Sequence, residues 1–102
     1  MFTTVQDADF ASTVDSVERG VVIFIKKLCP HCKNMLKMLE KFQRFVPGIH
    51  IYTVDSEECP ESMTLASVER VPTVCVIKGG KILAKRTGLM NPREMEAFYE
   101  SA

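Results

Sequence analysis

Two thiols stand two residues apart in Leu28-Cys29-Pro30-His31-Cys32-Lys33. Cysteines at that spacing can close into a disulfide and reopen, so the segment reads as a redox site. To cycle, the first sulfur has to be exposed and partly ionised, because the thiolate is the attacking species in thiol-disulfide exchange. The segment therefore predicts Cys29 as an exposed nucleophile with a depressed pKa, and Cys32 as the thiol that resolves the mixed disulfide.

The surroundings favour ionisation. Between residues 20 and 39 there are Lys26, Lys27, Lys33, Lys37 and His31 and no Asp or Glu, although the chain as a whole balances 13 Lys and Arg against 13 Asp and Glu. Nearby positive charge lowers a thiol pKa. His31 lies between the sulfurs and can carry a proton near neutral pH, or donate a hydrogen bond when uncharged. An ordinary solvated helix face explains the lysines equally well, whereas a filler role explains His31 poorly. The remaining two cysteines read differently. Cys75, between Val74 and Val76, is expected to be a small buried apolar residue. Cys59 precedes Pro60 at a helix start, where a thiol can be acidic and exposed, although structural filler is the favoured reading.

The elements around the pair must place it at the edge of the fold. Residues 21–25, Val-Val-Ile-Phe-Ile, form a continuous apolar run suited to a strand buried on both faces. A helix follows, with Met35, Met38, Leu39, Phe42, Phe45 and Val46 at helical spacing, until Pro47-Gly48 stops it. Cys29 then falls at or just before the first turn, where free backbone N–H groups and the helix dipole favour an anion. Pro30 suits the first helical position because its missing N–H sacrifices no hydrogen bond.

The rest of the chain supplies a short strand at 2–5, a helix at 9–17, a strand at 49–55 and a short helix at 62–68. Strands at 72–78 and 81–85 flank Gly79-Gly80 as a hairpin. A last helix starts at Asn91-Pro92, with Glu94 three residues beyond the Asn91 cap. This order, a βαβ unit followed by a ββα unit, predicts an α/β fold: a central mixed sheet of four or five strands flanked by about four helices. The dithiol lies at the carboxyl end of a strand, where open α/β sheets place their chemistry.

With 102 residues and a hydrophobic fraction of 46%, residues 1–102 are expected to form a single domain with a real core. The start lacks a basic n-region and an apolar h-region, and no apolar stretch approaches membrane-spanning length, which points to a cytoplasmic protein away from membranes. In that compartment four cysteines imply reactive or metal-binding thiols rather than a structural disulfide framework. Zero formal net charge argues against a nucleic-acid partner. A zinc reading would take Cys29 and Cys32 as half of a site. However, Cys59, Cys75, His31 and His50 offer no second Cys-x-x-Cys, so neither metal nor cofactor is expected.

With Cys29-Pro30-His31-Cys32 after a strand and Val71-Pro72-Thr73 before the hairpin, the chain resembles the thioredoxin family over its whole length. The resemblance implies a thioredoxin fold, a redox-active Cys29-Cys32 disulfide and a cis peptide bond at Pro72 that faces the dithiol across a groove. It also implies that Leu28, Val71, Pro72 and Gly88 bind substrate, with Val71 holding the substrate backbone as an added strand, and that Pro30 and His31 tune the potential. Its implied partners are disulfide-containing protein substrates and a thioredoxin-reductase-like flavoprotein, with the protein acting as a monomer.

The departures from the family pattern are specific. Leu28 replaces the usual tryptophan, and Pro30-His31 resembles the pair of the larger periplasmic thiol oxidases. Ile23 and Ile51 occupy the positions of a buried aspartate and its lysine partner, and Lys37 replaces a kinking proline. Gly79-Gly80-Lys81-Ile82 differs from the glutathione-binding turn usual in glutaredoxins. A reducing thioredoxin-like oxidoreductase is the leading expectation. The alternatives are a more oxidising oxidase, isomerase or glutaredoxin-like protein and, less favoured, a zinc-binding or non-catalytic binding module.

Overall fold

The computed structural model describes residues 2–102. In chain order the elements are β1 (Thr3–Thr4), α1 (Asp7–Ser16), β2 (Arg19–Ile25), α2 (Pro30–Phe45), β3 (His50–Asp55), α3 (Pro60–Leu65), β4 (Thr73–Lys78), β5 (Lys81–Thr87) and α4 (Pro92–Ser101). The five strands make one mixed sheet in the order β1-β3-β2-β4-β5. β3 runs parallel to β2 and β1, while β4 is antiparallel to β2 and β5.

The unbroken apolar run of β2 is explained by its central place. Alternate side chains point to opposite faces of a strand, and both faces here are covered. Val21 and Ile23 join Ile51, Val74 and Val76 in a core closed by Met35, Met38, Leu39 and Phe42 of α2 and by Met95 and Tyr99 of α4. Val22 and Phe24 join Val54, Cys75 and Ile77 in a second core, closed by Phe10 and Val14 of α1 and by Ala66 and Val68 in the segment that follows α3. Fully burying one such Val, Ile or Phe side chain contributes about 1.5–3 kcal/mol.

The helices differ from their sequence expectations mostly at the ends. α1 begins two residues early, at Asp7, and α3 starts at Pro60 and is complete by Leu65. β5 extends to Thr87, with a bulge opposite Val76 and Ile77 that leaves Leu83 half-exposed. α2 is unbroken over 16 residues, in keeping with Lys37 where a proline would kink it. The Asn91 capping box is complete: its side chain accepts from Glu94 N–H at 2.8 Å and Glu94 returns a bond from Asn91 N–H at 3.0 Å. In the β4-β5 turn Gly79 and Gly80 have φ of +60° and +76°, and a Cβ at Gly80 would lie 2.7 Å from the Asp15 carbonyl oxygen. No helix among the described residues is long and apolar enough to cross a membrane.

Candidate functional site

Cys29 is the N-cap of α2 and Pro30 its first residue. The Cys29 Sγ accepts a hydrogen bond from the Cys32 N–H at 3.2 Å, and the Cys29 carbonyl accepts from Lys33 N–H at 3.2 Å. A sulfur thus takes the place that an Asp or Ser oxygen fills at most helix starts.

This geometry corrects one expectation. The attacking sulfur was expected to be exposed, yet Cys29 is only 8% exposed and Cys32 2%. The cap bond turns the Cys29 side chain back over the helix end. Its neighbour turns outward, because Leu28 adopts a left-handed backbone with φ of +57° and is 95% exposed. That conformation costs a non-glycine residue about 1–2 kcal/mol, so the loop holds the thiol at the rim against a local strain.

The two thiols have opposite tendencies. The Cys29 pKa is lowered, first by the hydrogen bond from the Cys32 thiol and then, against the effect of burial, by the Cys32 N–H, the Lys26 charge and the His31 N–H. The Cys32 thiol is pushed up to about 11, mainly by burial and by its hydrogen bond to Cys29, with Lys26 pulling the other way. One sulfur is poised as the anion and the other as the proton donor beside it.

The basic neighbourhood acts less uniformly than the sequence suggests. Of the four lysines, Lys26 is the one whose charge lowers Cys29. Lys27 is engaged with Glu58 at 3.3 Å, an acid that arrives from beyond β3 and escapes a count over residues 20–39. His31 is exposed, and it acts on Cys29 through its backbone N–H.

The other expected site residues come from the same end of the sheet. β2 leads into the dithiol, and its Phe24 pairs with Thr73, the residue after Pro72. The Val71-Pro72 peptide is cis. Gly88 N–H donates to the Pro72 carbonyl at 3.0 Å, and the Thr73 and Thr87 hydroxyls lie 2.9 Å apart. Val71 is half-buried and Leu89, next to Gly88, is 49% exposed.

Ile23 and Ile51 are 0% and 2% exposed in the core beneath α2, so apolar side chains fill the positions of the ionisable pair. Cys75 is wholly buried and its thiol pushed up to about 12 by desolvation. Cys59 is 1% exposed, with its Sγ 3.8 Å from the Val5 carbonyl oxygen. Among the described residues no three His, Cys, Asp or Glu side chains come together to hold a metal ion.

The sequence reading missed Asp7. Its carboxylate accepts from Ser62 Oγ at 2.6 Å, Ser62 N–H at 2.8 Å and Glu61 N–H at 3.1 Å, and so caps α3 from across the fold. A separation of 55 residues leaves no local signal of that contact.

Comparison with known proteins agrees with this geometry. The thioredoxin family model matches residues 1–101. Thioredoxin of Chlamydia trachomatis is 31% identical over 91 residues, covering 87% of this chain and 86% of its own. Thioredoxin-1 of Saccharomyces cerevisiae is 32% identical over 81 residues, covering 79% of each. Among solved structures, reduced desulfothioredoxin of Desulfovibrio vulgaris Hildenborough superposes with a TM-score of 0.83 at 44% identity, covering 90% of this chain and 88% of that one. A dithiol at a helix start, an open mixed sheet and a family match over nearly the full length lead to one assignment: the chain belongs to the thioredoxin family of protein dithiol-disulfide oxidoreductases.

Proposed function

We propose that this protein reduces disulfides in protein substrates, with Cys29 as nucleophile and Cys32 as the resolving thiol. The observation that carries this reading is the opposite tendency of two adjacent thiols, Cys29 lowered and Cys32 raised, at the start of α2. The Cys29 thiolate attacks one sulfur of the substrate disulfide and expels the other as a thiolate, forming a mixed disulfide. Cys32 then loses its proton and attacks the Cys29 sulfur. The second substrate thiolate leaves and the Cys29-Cys32 disulfide remains, so two electrons have passed to the substrate. A thioredoxin-reductase-like flavoprotein returns them. Val71, Pro72 and Gly88 hold the substrate backbone beside Cys29, and Leu28 offers an apolar contact at the rim. Pro30 and His31 tune the potential, and the protein works in the cytoplasm as a monomer and a single domain.

Stabilising the thiolate stabilises the reduced dithiol and makes the disulfide more oxidising. The expected potential lies between about -270 mV for thioredoxin and about -120 mV for the periplasmic oxidase, and its measurement against glutathione fixes the direction of the cycle. The decisive experiment is trapping. Cys32→Ser leaves the mixed disulfide with no internal thiol to release it, so dithiothreitol-sensitive adducts with several proteins accumulate, while Cys29→Ser gives few. Partners that survive loss of both cysteines would identify a binding module, and metal release on thiol modification without adducts would identify a zinc site.

A further inference from the structure

The four helices share the molecule's charge unevenly. α1 carries Asp7, Asp9 and Asp15 and no base, α3 carries Glu61, and α4 sets Glu94, Glu96 and Glu100 against Arg93. α2 is the reverse, with Lys33, Lys37, Lys41 and Arg44 against Glu40 alone. The formal neutrality of the chain therefore conceals segregation, and the helix that starts at the dithiol is the basic one.

The four α2 cations are all exposed. They follow one another at intervals of four, four and three residues, so they form a single stripe about 16 Å long at 1.5 Å per residue. Lys33-Lys37 and Lys37-Lys41 are like-charge pairs one turn apart, an arrangement that weakens a helix. Glu40 lies within reach of Lys37 and Arg44 in spacing, yet the ion pairs among the described residues are Lys27–Glu58 and Arg86–Glu94. Among the described residues no ion pair engages the stripe. It begins at Lys33, whose N–H is bonded to the Cys29 carbonyl, and leads directly away from the thiol.

We propose that this stripe is a docking track for acidic segments of disulfide-bearing proteins. The proposal rests on the oxidoreductase reading and names a substrate class for it. An acidic run flanking the substrate disulfide lies along α2 while the disulfide itself meets Cys29. Acidic α1, in the layer on the other side of the sheet, and acidic α4, beside α2 on the same side, repel such a segment and leave the α2 stripe itself as the favoured approach. Complementary charge of this kind acts chiefly on encounter rate and partner choice, and it fades with salt.

The test compares two synthetic peptides with the same disulfide core, one flanked by glutamates and the other by glutamines. A small neutral disulfide, bis(2-hydroxyethyl) disulfide, serves as control. At low ionic strength the reduced protein is expected to react about tenfold faster with the acidic peptide. The advantage should vanish near 1 M salt, where the screening length is about 3 Å. Lys37→Glu with Lys41→Glu, both good helix formers, should abolish the preference and leave the rate with the neutral disulfide unchanged. Lys37→Arg with Lys41→Arg should preserve the preference. Equal rates for the two peptides, or a preference that survives the double glutamate variant, would overturn the docking track alone. Failure to react with all three disulfides would overturn the oxidoreductase reading and the track with it.

Discussion

Cys-Pro occurs twice in this chain at a helix start, and the two sites behave in opposite ways. Cys29-Pro30 opens α2 and Cys59-Pro60 opens α3, each cysteine at the N-cap and each proline in the first turn. Both sulfurs are buried, yet the Cys29 pKa is lowered and the Cys59 pKa raised. The difference lies in what occupies the helix end. At α2 the sulfur itself accepts the Cys32 N–H. At α3 the Asp7 carboxylate has taken the free N–H groups of Glu61 and Ser62, and the Cys59 side chain makes no cap bond. Desolvation then dominates at Cys59, and Asp7, Asp55 and Glu58 add negative charge. A thiol at a helix start is activated when it receives hydrogen bonds, at Cys29 from the Cys32 thiol first and from the Cys32 N–H after it.

The largest expected contrast is in alkylation. With iodoacetamide near neutral pH, Cys29 of the reduced protein should be modified more than about a hundredfold faster than Cys59 or Cys75, because both thiolate fraction and access favour it. Peptide mass spectrometry over time reads this directly, and comparable rates at Cys29 and Cys59 would dissolve the comparison.

The next effect falls on stability. Burial pushes the Asp7 carboxyl up, but the bonds from Ser62 Oγ, Ser62 N–H and Glu61 N–H outweigh it and leave the pKa below 3.8. A carboxyl with a depressed folded-state pKa stabilises the fold above its unfolded value and loses that contribution as pH falls through the folded value. The urea midpoint should therefore decline below about pH 4. Asp7→Asn should lower the midpoint at neutral pH and flatten its acid limb. An unchanged limb would remove Asp7 from the account of α3.

At the alkaline end the signs reverse for the raised thiols. The unfolded chain ionises Cys32 and Cys75 near 9.0, whereas the reduced fold keeps them protonated to about 11 and about 12. Their contribution is present below the unfolded value and is lost as pH rises through that window. The reduced protein should lose stability there, as followed by thermal unfolding. Cys75→Ala should lose less, because one raised thiol has gone.

A smaller set of changes dissects Cys29. Cys32→Ala removes the largest lowering influence and should move the Cys29 titration, followed by thiolate absorbance, toward the ordinary thiol range. His31→Pro deletes the backbone donor as well as the ring and should shift it upward by less. His31→Ala keeps the N–H and should scarcely move it. Equal shifts in the two His31 variants would return the effect to the imidazole.

Much of this architecture was legible in the chain. The apolar run of β2, the stripe of α2, the Gly79-Gly80 turn and the Asn91-Glu94 box are local patterns, and the structure matches each within a few residues. The burial of Cys75 was equally readable from its place between two valines. What escaped was set by contacts distant in sequence or by backbone geometry. Asp7 reaches α3 across the fold, Glu58 removes Lys27 from the basic cluster, and the left-handed turn at Leu28 has no composition signal because leucine rarely adopts it. The burial of Cys29 follows from that turn and the cap bond together, which is why an exposed sulfur was the natural expectation.

Ile23 and Ile51 give the proposed cycle an external economy of protons. Ile23 and Ile51 put buried apolar side chains in the core beneath α2, so the proton lost when Cys32 attacks is expected to leave through the rim at which the substrate also sits. Solvent and dissolved buffer then become reactants in the resolving step. Its rate should rise with buffer concentration at constant pH and ionic strength, so the composition of the surrounding solution, as well as the protein, sets how fast a bound partner is let go.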